Sequence, residues 1–205
     1  MCIRDRDSTT QDHREEDVEC SMKTKHELMA ELHVAAAQDK VSRVRELLDA
    51  GIPRDAIDEY GNTLIRNVCQ NNSLKVLRML LASGCDPRMK TNSRSPVVGR
   101  TEGGFVTRMY VTSVQAAELL CKYGADVNEA DATGTTPLMR KARFADFELV
   151  KFLVENGADP ALRQRKAGNR AGQNALEIAK EQAQFLPDDE GLASVIALLG
   201  SRTPV

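Results

Sequence analysis

A glycine that returns at nearly fixed spacing constrains this chain more than any other feature, because each occurrence closes the same apolar pattern. Gly51, Gly84, Gly124 and Gly157 are separated by 33, 40 and 33 residues. Counting back ten, seven, four and three positions gives Val41, Val44, Leu47 and Leu48; Leu74, Leu77, Leu80 and Leu81; Val114, Ala117, Leu120 and Cys121; and Phe147, Val150, Leu153 and Val154. These spacings fall on one face of an α-helix, so a single apolar face is written four times. Nineteen positions before each glycine stands Leu32, Ile65, Phe105 or Leu138, and fifteen before it Ala36, Cys69, Met109 or Ala142, which predicts a second, shorter helix per unit. A two-helix unit of this size cannot bury its apolar face alone and must stack on its neighbours. The expectation is an all-α solenoid of about five helix-turn-helix units, an architecture whose usual work is binding other proteins.

Composition narrows the rest. Of 205 residues 41% are hydrophobic but only 4% aromatic, a core of Leu, Val and Ala that suits short helices packed closely. The net charge of −2 gives no global attraction to nucleic acid or an anionic membrane. No apolar run approaches the roughly 20 residues of a membrane span, and no secretory leader is discernible, so an intracellular place, cytoplasmic or nuclear, is expected. The five cysteines show no metal-ligand spacing, and Cys69 and Cys121 sit on the apolar faces, where burial as small hydrophobes is expected. All three histidines, His13, His26 and His33, precede residue 34, which leaves no base for a downstream nucleophile. No glycine-rich phosphate loop, GxSxG or HExxH occurs, so the reading is of a non-enzyme without cofactor or metal.

Residues 1–23 carry seven acids between Asp5 and Glu19 and few apolar groups, and are read as a disordered acidic tail. Its opening MCIRDR resembles a translated library-preparation adapter, which would put the native start elsewhere. Order is expected from Thr24, where Thr24-Lys25-His26-Glu27 has the form of a capping box, through residue 200, with 201–205 as a flexible end. The units are placed at about 24–57, 58–88, 89–128, 129–160 and 161–200. Gly61 and Gly134 fall ten residues after Gly51 and Gly124, where a tight turn should join units, and Thr63 and Thr136 are positioned to cap the helices that follow. Pro137 then stands at a first helical position, where its missing N–H costs nothing. In the fifth unit Leu192, Val195, Leu198 and Leu199 repeat the outer-helix spacing after a polar stretch, Phe185 to Gly191, read as a longer loop.

The segment Gly134-Thr135-Thr136-Pro137-Leu138 through Gly157-Ala158-Asp159-Pro160 resembles an ankyrin repeat, as do Glu118 to Asn128 and Leu32-His33-Val34-Ala35-Ala36. The resemblance covers about residues 26–200 and implies protein-binding repeats that contact partners through a concave groove. Carried onto this chain, the groove positions are Gln38, Glu59, Tyr60, Asn62, Gln70, Asn71, Ala132, Thr133, Arg143 and Phe144, with Tyr60 and Phe144 the candidate aromatic anchors. Leu120 to Asn128 is similar in form to the asparagine-hydroxylation site of some family members, although Asn128 reads first as a turn residue. Departures are evident too. The third unit lacks an obvious cap at Gly103-Gly104-Phe105, and Arg108 and Lys141 occupy a position that Ala35 holds in the first unit, where their stems are expected to snorkel to solvent.

Two irregular spacings mark insertions. The 40-residue interval holds seven extra residues after Asp86, and Gly172 follows Gly157 by 15 rather than ten. Both lengthen turns that project from the array. Arg88, Lys90, Arg94, Arg100 and Arg108 face two acids in the first, and Arg163, Arg165, Lys166 and Arg170 meet none between Ala161 and Gln173 in the second. Two basic fingers roughly 20 Å apart, two helix layers along the stack, would steer an acidic or phosphorylated protein partner onto a monomeric array, whereas nucleic acid is disfavoured because neither finger interleaves stacking aromatics. The alternative is that the chain is the regulatory array of a larger polypeptide whose catalytic or membrane part lies outside it.

Overall fold

The computed structural model describes residues 25–58, 60–88, 111–131, 133–165 and 172–202. Helix α1 covers residues 25–37. It is followed by α2 (Val41–Asp49), α3 (Leu64–Gln70), α4 (Leu74–Ala82), α5 (Val114–Lys122), α6 (Pro137–Arg143), α7 (Phe147–Glu155), α8 (Ala175–Ala183) and α9 (Glu190–Gly200). The helices α2, α4, α5, α7 and α9 pack in succession as an outer layer, and α6 and α8 pack side by side in an inner one. No named strand occurs among the described residues; a lone antiparallel bridge joins Ile57 to Thr63 at the base of a turn.

Each outer helix ends as its glycine dictates. Gly51, Gly84, Gly124 and Gly157 hold φ of 93°, 89°, 83° and 88°. The amide after each glycine reaches back to close the helix: Ile52 N–H donates to the Leu47 carbonyl, Cys85 to Leu80, Ala125 to Leu120 and Ala158 to Leu153. This is the Schellman closure, which needs a left-handed residue that glycine supplies without steric cost. The inner helices start as the threonines and proline predict. Thr63 Oγ1 accepts from Arg66 N–H and Thr136 Oγ1 from Met139 N–H, each at 3.3 Å, with Pro137 at the first helical position. In the fifth unit Asn174 and Glu177 form a reciprocal capping box, an N-x-x-E signal that replaces the missing threonine.

A second left-handed position went unread in the sequence. The turn from inner to outer helix places Asp39, Asn72 and Ala145 at φ of 55°, 55° and 56°. Asp39 then caps across the repeat boundary, its Oδ1 accepting from Val76 N–H of α4 at 2.8 Å, while Ser73, at the N-cap of α4, spends its hydroxyl on the Ala37 carbonyl. Ala145 has no side chain for such a bond.

The core divides into two clusters. The first runs from Leu32 through Leu47, Leu64, Leu77 and Leu80 to Leu120 and Leu149; the second joins Leu138, Met139, Ile178, Leu192 and Leu199, with Phe152 packed against both. At this junction Lys141 corrects the snorkelling expectation. It is buried, its ammonium donates to the Val111 carbonyl, and it lies 3.3 Å from Asp146 Oδ2. Burial pulls its pKa down, against the Asp146 carboxylate. An aliphatic face with no free carbonyl at that spot would have driven the amine outward; here the carbonyl of Val111, in the segment before α5, and an acid lie within reach. Cys69 is buried, its thiol pushed up to about 12 by desolvation, but Cys121 is only partly covered. The fifth-unit loop is shorter than expected, since α9 already begins at Glu190. Residues 1–24, the third unit's start with Arg108, and residues 203–205 lie outside the described residues.

Candidate functional site

The turns that carry the groove candidates are built as hubs, in which an aspartate folds the chain around its own carboxylate. Asp58 Oδ1 accepts from the N–H groups of Tyr60 and Asn62 at 2.9 and 2.8 Å, and Asp131 Oδ1 from those of Thr133 and Thr135 at 2.8 and 2.9 Å. The first hub ties backwards. The Asn67 amide donates to Asp58 Oδ2 at 3.0 Å and to His33 Nδ1 at 2.8 Å, linking α3 to α1 of the preceding unit. Since an amide nitrogen only donates, Nδ1 is the acceptor and the neutral ring carries its proton on Nε2. Burial lowers the His33 pKa despite the nearby Asp58 carboxylate. Burial raises that of Asp58, but hydrogen bonds from Asn67 and Asn62 outweigh it and hold the carboxyl below its ordinary value.

Beside this relay lies a cavity of about 300 Å³ lined by His26, Met29, Ala30, His33, Val34, Ala37, Ile57, Asp58, Tyr60 and Asn67. Its rim is apolar and open: Val34, Ile57 and Tyr60 are 55%, 42% and 56% exposed. The structure thus brings Tyr60 together with one face of α1 that the sequence reading passed over. Val34, apolar but off the series of Leu28, Leu32, Ala35 and Ala36, was the signal, as was an isoleucine in an otherwise polar turn.

The other groove candidates are more dispersed. Asn62 is engaged with Asp58 and with Arg66, and Asn71 bonds the Asn67 carbonyl of its own helix, so both serve local structure. Gln38 and Gln70 are exposed at the ends of α1 and α3. Thr133 is drawn into the Asp131 hub, its hydroxyl 2.6 Å from Oδ1. Phe144 is 67% exposed at the end of α6, with the Arg140 guanidinium 5.9 Å above its ring, and Arg143 beside it is partly buried. Glu59 and Ala132 lie outside the described residues.

Of the fingers, Arg88, Arg163 and Arg165 are described, and Lys90, Arg94, Arg100, Lys166 and Arg170 are not. Two of the three are opposed by acids. Arg88 pairs with Asp86 at 3.1 Å. Arg163, counted as unopposed within its loop, meets both oxygens of Glu177 from the next helix at 2.9 Å. The second insertion closes as a hairpin stem, with Gln164 N–H donating to the Gln173 carbonyl and Gly172 N–H to that of Gln164. Arg165 N–H donates to the Thr133 carbonyl at 2.8 Å, so the stem leans on the preceding turn. Asn128 bonds the Gly157 carbonyl and the Asp159 N–H, the work of a turn residue.

Stacked helix pairs, glycine-closed outer helices and aspartate-folded turns that tie one unit to the next define a repeat-array binding module. The chain belongs to the ankyrin repeat family: the model described as "Ankyrin repeats (many copies)" matches residues 32–81 and that described as "Ankyrin repeat" matches 133–165. Such repeats generally mediate protein–protein interaction and are generally non-catalytic. Among relatives, a "Putative ankyrin repeat protein" of Rickettsia bellii is 30% identical over 128 residues, 62% of this chain and 37% of that protein. The mouse "B-cell lymphoma 3 protein homolog" is 28% identical over 131 residues, 62% of this chain and 28% of that one. The human "Cyclin-dependent kinase inhibitor 2A" is 28% identical over 159 residues, covering 77% and 90%. The chain thus spans well under half the length of the first two. No helix among the described residues is long and apolar enough to cross a membrane.

Proposed function

We propose that this chain is a non-catalytic interaction array that takes a protein partner in its groove, with the open cavity between α1 and the Ile57–Thr63 turn as the principal contact. The observation that carries this reading is the coincidence of a cavity of about 300 Å³ with three exposed apolar side chains, Val34, Ile57 and Tyr60, on a frame fixed by the His33–Asn67–Asp58 relay. An apolar side chain of the partner would enter the cavity, and Tyr60 would close over it as a rigid aromatic contact. Phe144 under Arg140 extends the surface toward the fourth unit. The basic fingers at Arg88 to Arg100 and Arg163 to Arg170 steer an acidic or phosphorylated partner, raising its rate of encounter more than its affinity, since Arg88 and Arg163 are already opposed by Asp86 and Glu177. The array acts as a monomer.

The experiment compares proteins recovered from lysate by the wild-type chain, by a Val34→Asp/Tyr60→Ala variant and by a variant with Arg88, Lys90, Arg94, Arg163, Arg165 and Lys166 changed to Ser. The reading predicts a partner lost with the first variant and weakened, more so at low salt, with the second. Retention of the same partner by the groove variant overturns it. The second reading, a regulatory array within a longer polypeptide, is favoured by the length of the relatives, of which this chain matches 37% and 28% in two cases. A longer transcript carrying a further domain would support it.

A further inference from the structure

The outer layer carries a charged cleft that the groove reading does not use. Between α2 and α4 lies a cavity of about 550 Å³ with Leu48, Met79 and Ala82 among its lining. Around it stand Arg45 on α2, Lys75 and Arg78 on α4, and Arg54 from the loop after α2, with Asp49 as the one carboxylate in the lining. The spacing explains the assembly. Arg45, Leu48 and Asp49 form one stripe of α2, and Lys75, Arg78, Met79 and Ala82 one stripe of α4, and the two helices pack against each other. Arg54 donates to the Ser83 carbonyl and so braces one end across the two units. Among the described residues none of the four cations forms an ion pair, in contrast to Arg43, Arg88 and Arg163, each held by a neighbouring acid. In a chain of net charge −2, a lining of four cations against one acid is a local excess of +3. It shares no residue with the groove cavity.

We infer that this cleft binds a phosphorylated peptide segment of a second protein. A phosphate carries about −1.5 to −2 charge and three acceptor oxygens, which match unpaired guanidinium and ammonium donors converging from two helices. The apolar residues between them give a neighbouring side chain of the peptide a surface to cover, which a bare inorganic anion does not need. Commitment to a peptide over a lipid headgroup follows from the shape, a cleft running between two packed helices with cations on both walls rather than a protruding basic tip.

The test uses an immobilised array of phosphoserine peptides with degenerate flanks beside unphosphorylated copies, probed with the wild-type chain and with Arg45→Gln/Lys75→Gln/Arg78→Gln. All three side chains are exposed and unpaired, so the variant should keep its helical content and melting temperature, checked by circular dichroism. The expected result is phosphate-dependent retention of the wild-type chain, at least tenfold weaker with the triple variant and unchanged with Val34→Asp/Tyr60→Ala. Equal retention on phosphorylated and unphosphorylated peptides, or equal retention of wild type and triple variant, overturns the inference. Binding of phosphoinositide vesicles that the triple variant abolishes, without peptide retention, overturns it in favour of a membrane surface.

Discussion

The turn at Asp58 and the turn at Asp131 are the same device put to different ends. Each folds around its own aspartate and each carries a glycine at φ 77°, Gly61 and Gly134. The first is tied backwards by Asn67 to a buried histidine and leaves an apolar cavity open beside it. The second is tied forwards: Gln164 Nε2 donates to Thr135 Oγ1 at 2.7 Å and Arg165 N–H to the Thr133 carbonyl, so the stem of the inserted hairpin leans on the turn. An insertion in a repeat array thus also acts as a cover. Beside the regularly spaced turn a cavity stays open, and where residues are added the neighbouring turn is occupied by the chain itself.

Closing the second turn should be the easiest feature to break. A Cβ at Gly134 would sit 2.7 Å from the Arg165 backbone nitrogen, whereas nothing lies within 4 Å of one at Gly51. Gly134→Ala should therefore cost about 3 kcal/mol in urea unfolding, combining left-handed strain with the displaced hairpin stem, and Gly51→Ala only about 1 kcal/mol. Equal losses would mean that the stem does not press on the turn.

Next come the left-handed links between inner and outer helices. Asp39→Ala removes the bond to Val76 N–H and leaves alanine at φ 55°, an expected loss of about 2 kcal/mol. Ala145→Gly at φ 56° should instead stabilise by about 0.5–1 kcal/mol by relieving strain. Thermal melts of both variants in parallel would separate them by sign.

The backward tie makes the first half acid-sensitive. The unfolded histidine takes a proton near its ordinary value of 6.5, while burial holds the folded His33 below it. A protonated Nδ1 would also point a hydrogen at the Asn67 amide, which is itself a donor there. Between the two pKa values the unfolded chain binds more protons, so stability falls as pH drops from about 7 through that window, by at most about 1.4 kcal/mol per unit of difference. His33→Gln should flatten this slope when stability is followed from pH 7.5 to 5.5; an unchanged slope would assign it to other groups. Smallest of all, Tyr60→Ala and Phe144→Ala remove exposed rings and should change stability by about 0.5 kcal/mol or less, although the first is expected to cost binding.

What the sequence made legible was whatever repeats at fixed spacing and depends on local chemistry. The glycine closures, the buried faces of α2 and α4 and the Thr63 and Thr136 caps follow from residue type and register alone. The relay from His33 through Asn67 to Asp58, the Asp39 bond to Val76 and the Arg163 pair with Glu177 join residues 9 to 37 positions apart, and no local pattern announces them. Lys141 misled because a lysine among apolar neighbours is ordinarily carried to solvent, and only the folded junction shows a carbonyl and a carboxylate waiting for it. Among the groove candidates Tyr60 lines the open cavity, whereas Asn62 and Thr133 are engaged within the turns themselves.

The most direct measurement places a photo-crosslinking amino acid at position 60 or at position 144 and compares the proteins captured from lysate. If the open cavity of the first half is the principal contact, position 60 captures one discrete partner, position 144 captures it more weakly, and Val34→Asp abolishes the first product. Capture from position 144 alone, or capture from position 60 that survives Val34→Asp, would contradict the assignment of the partner to the uncovered end of the groove.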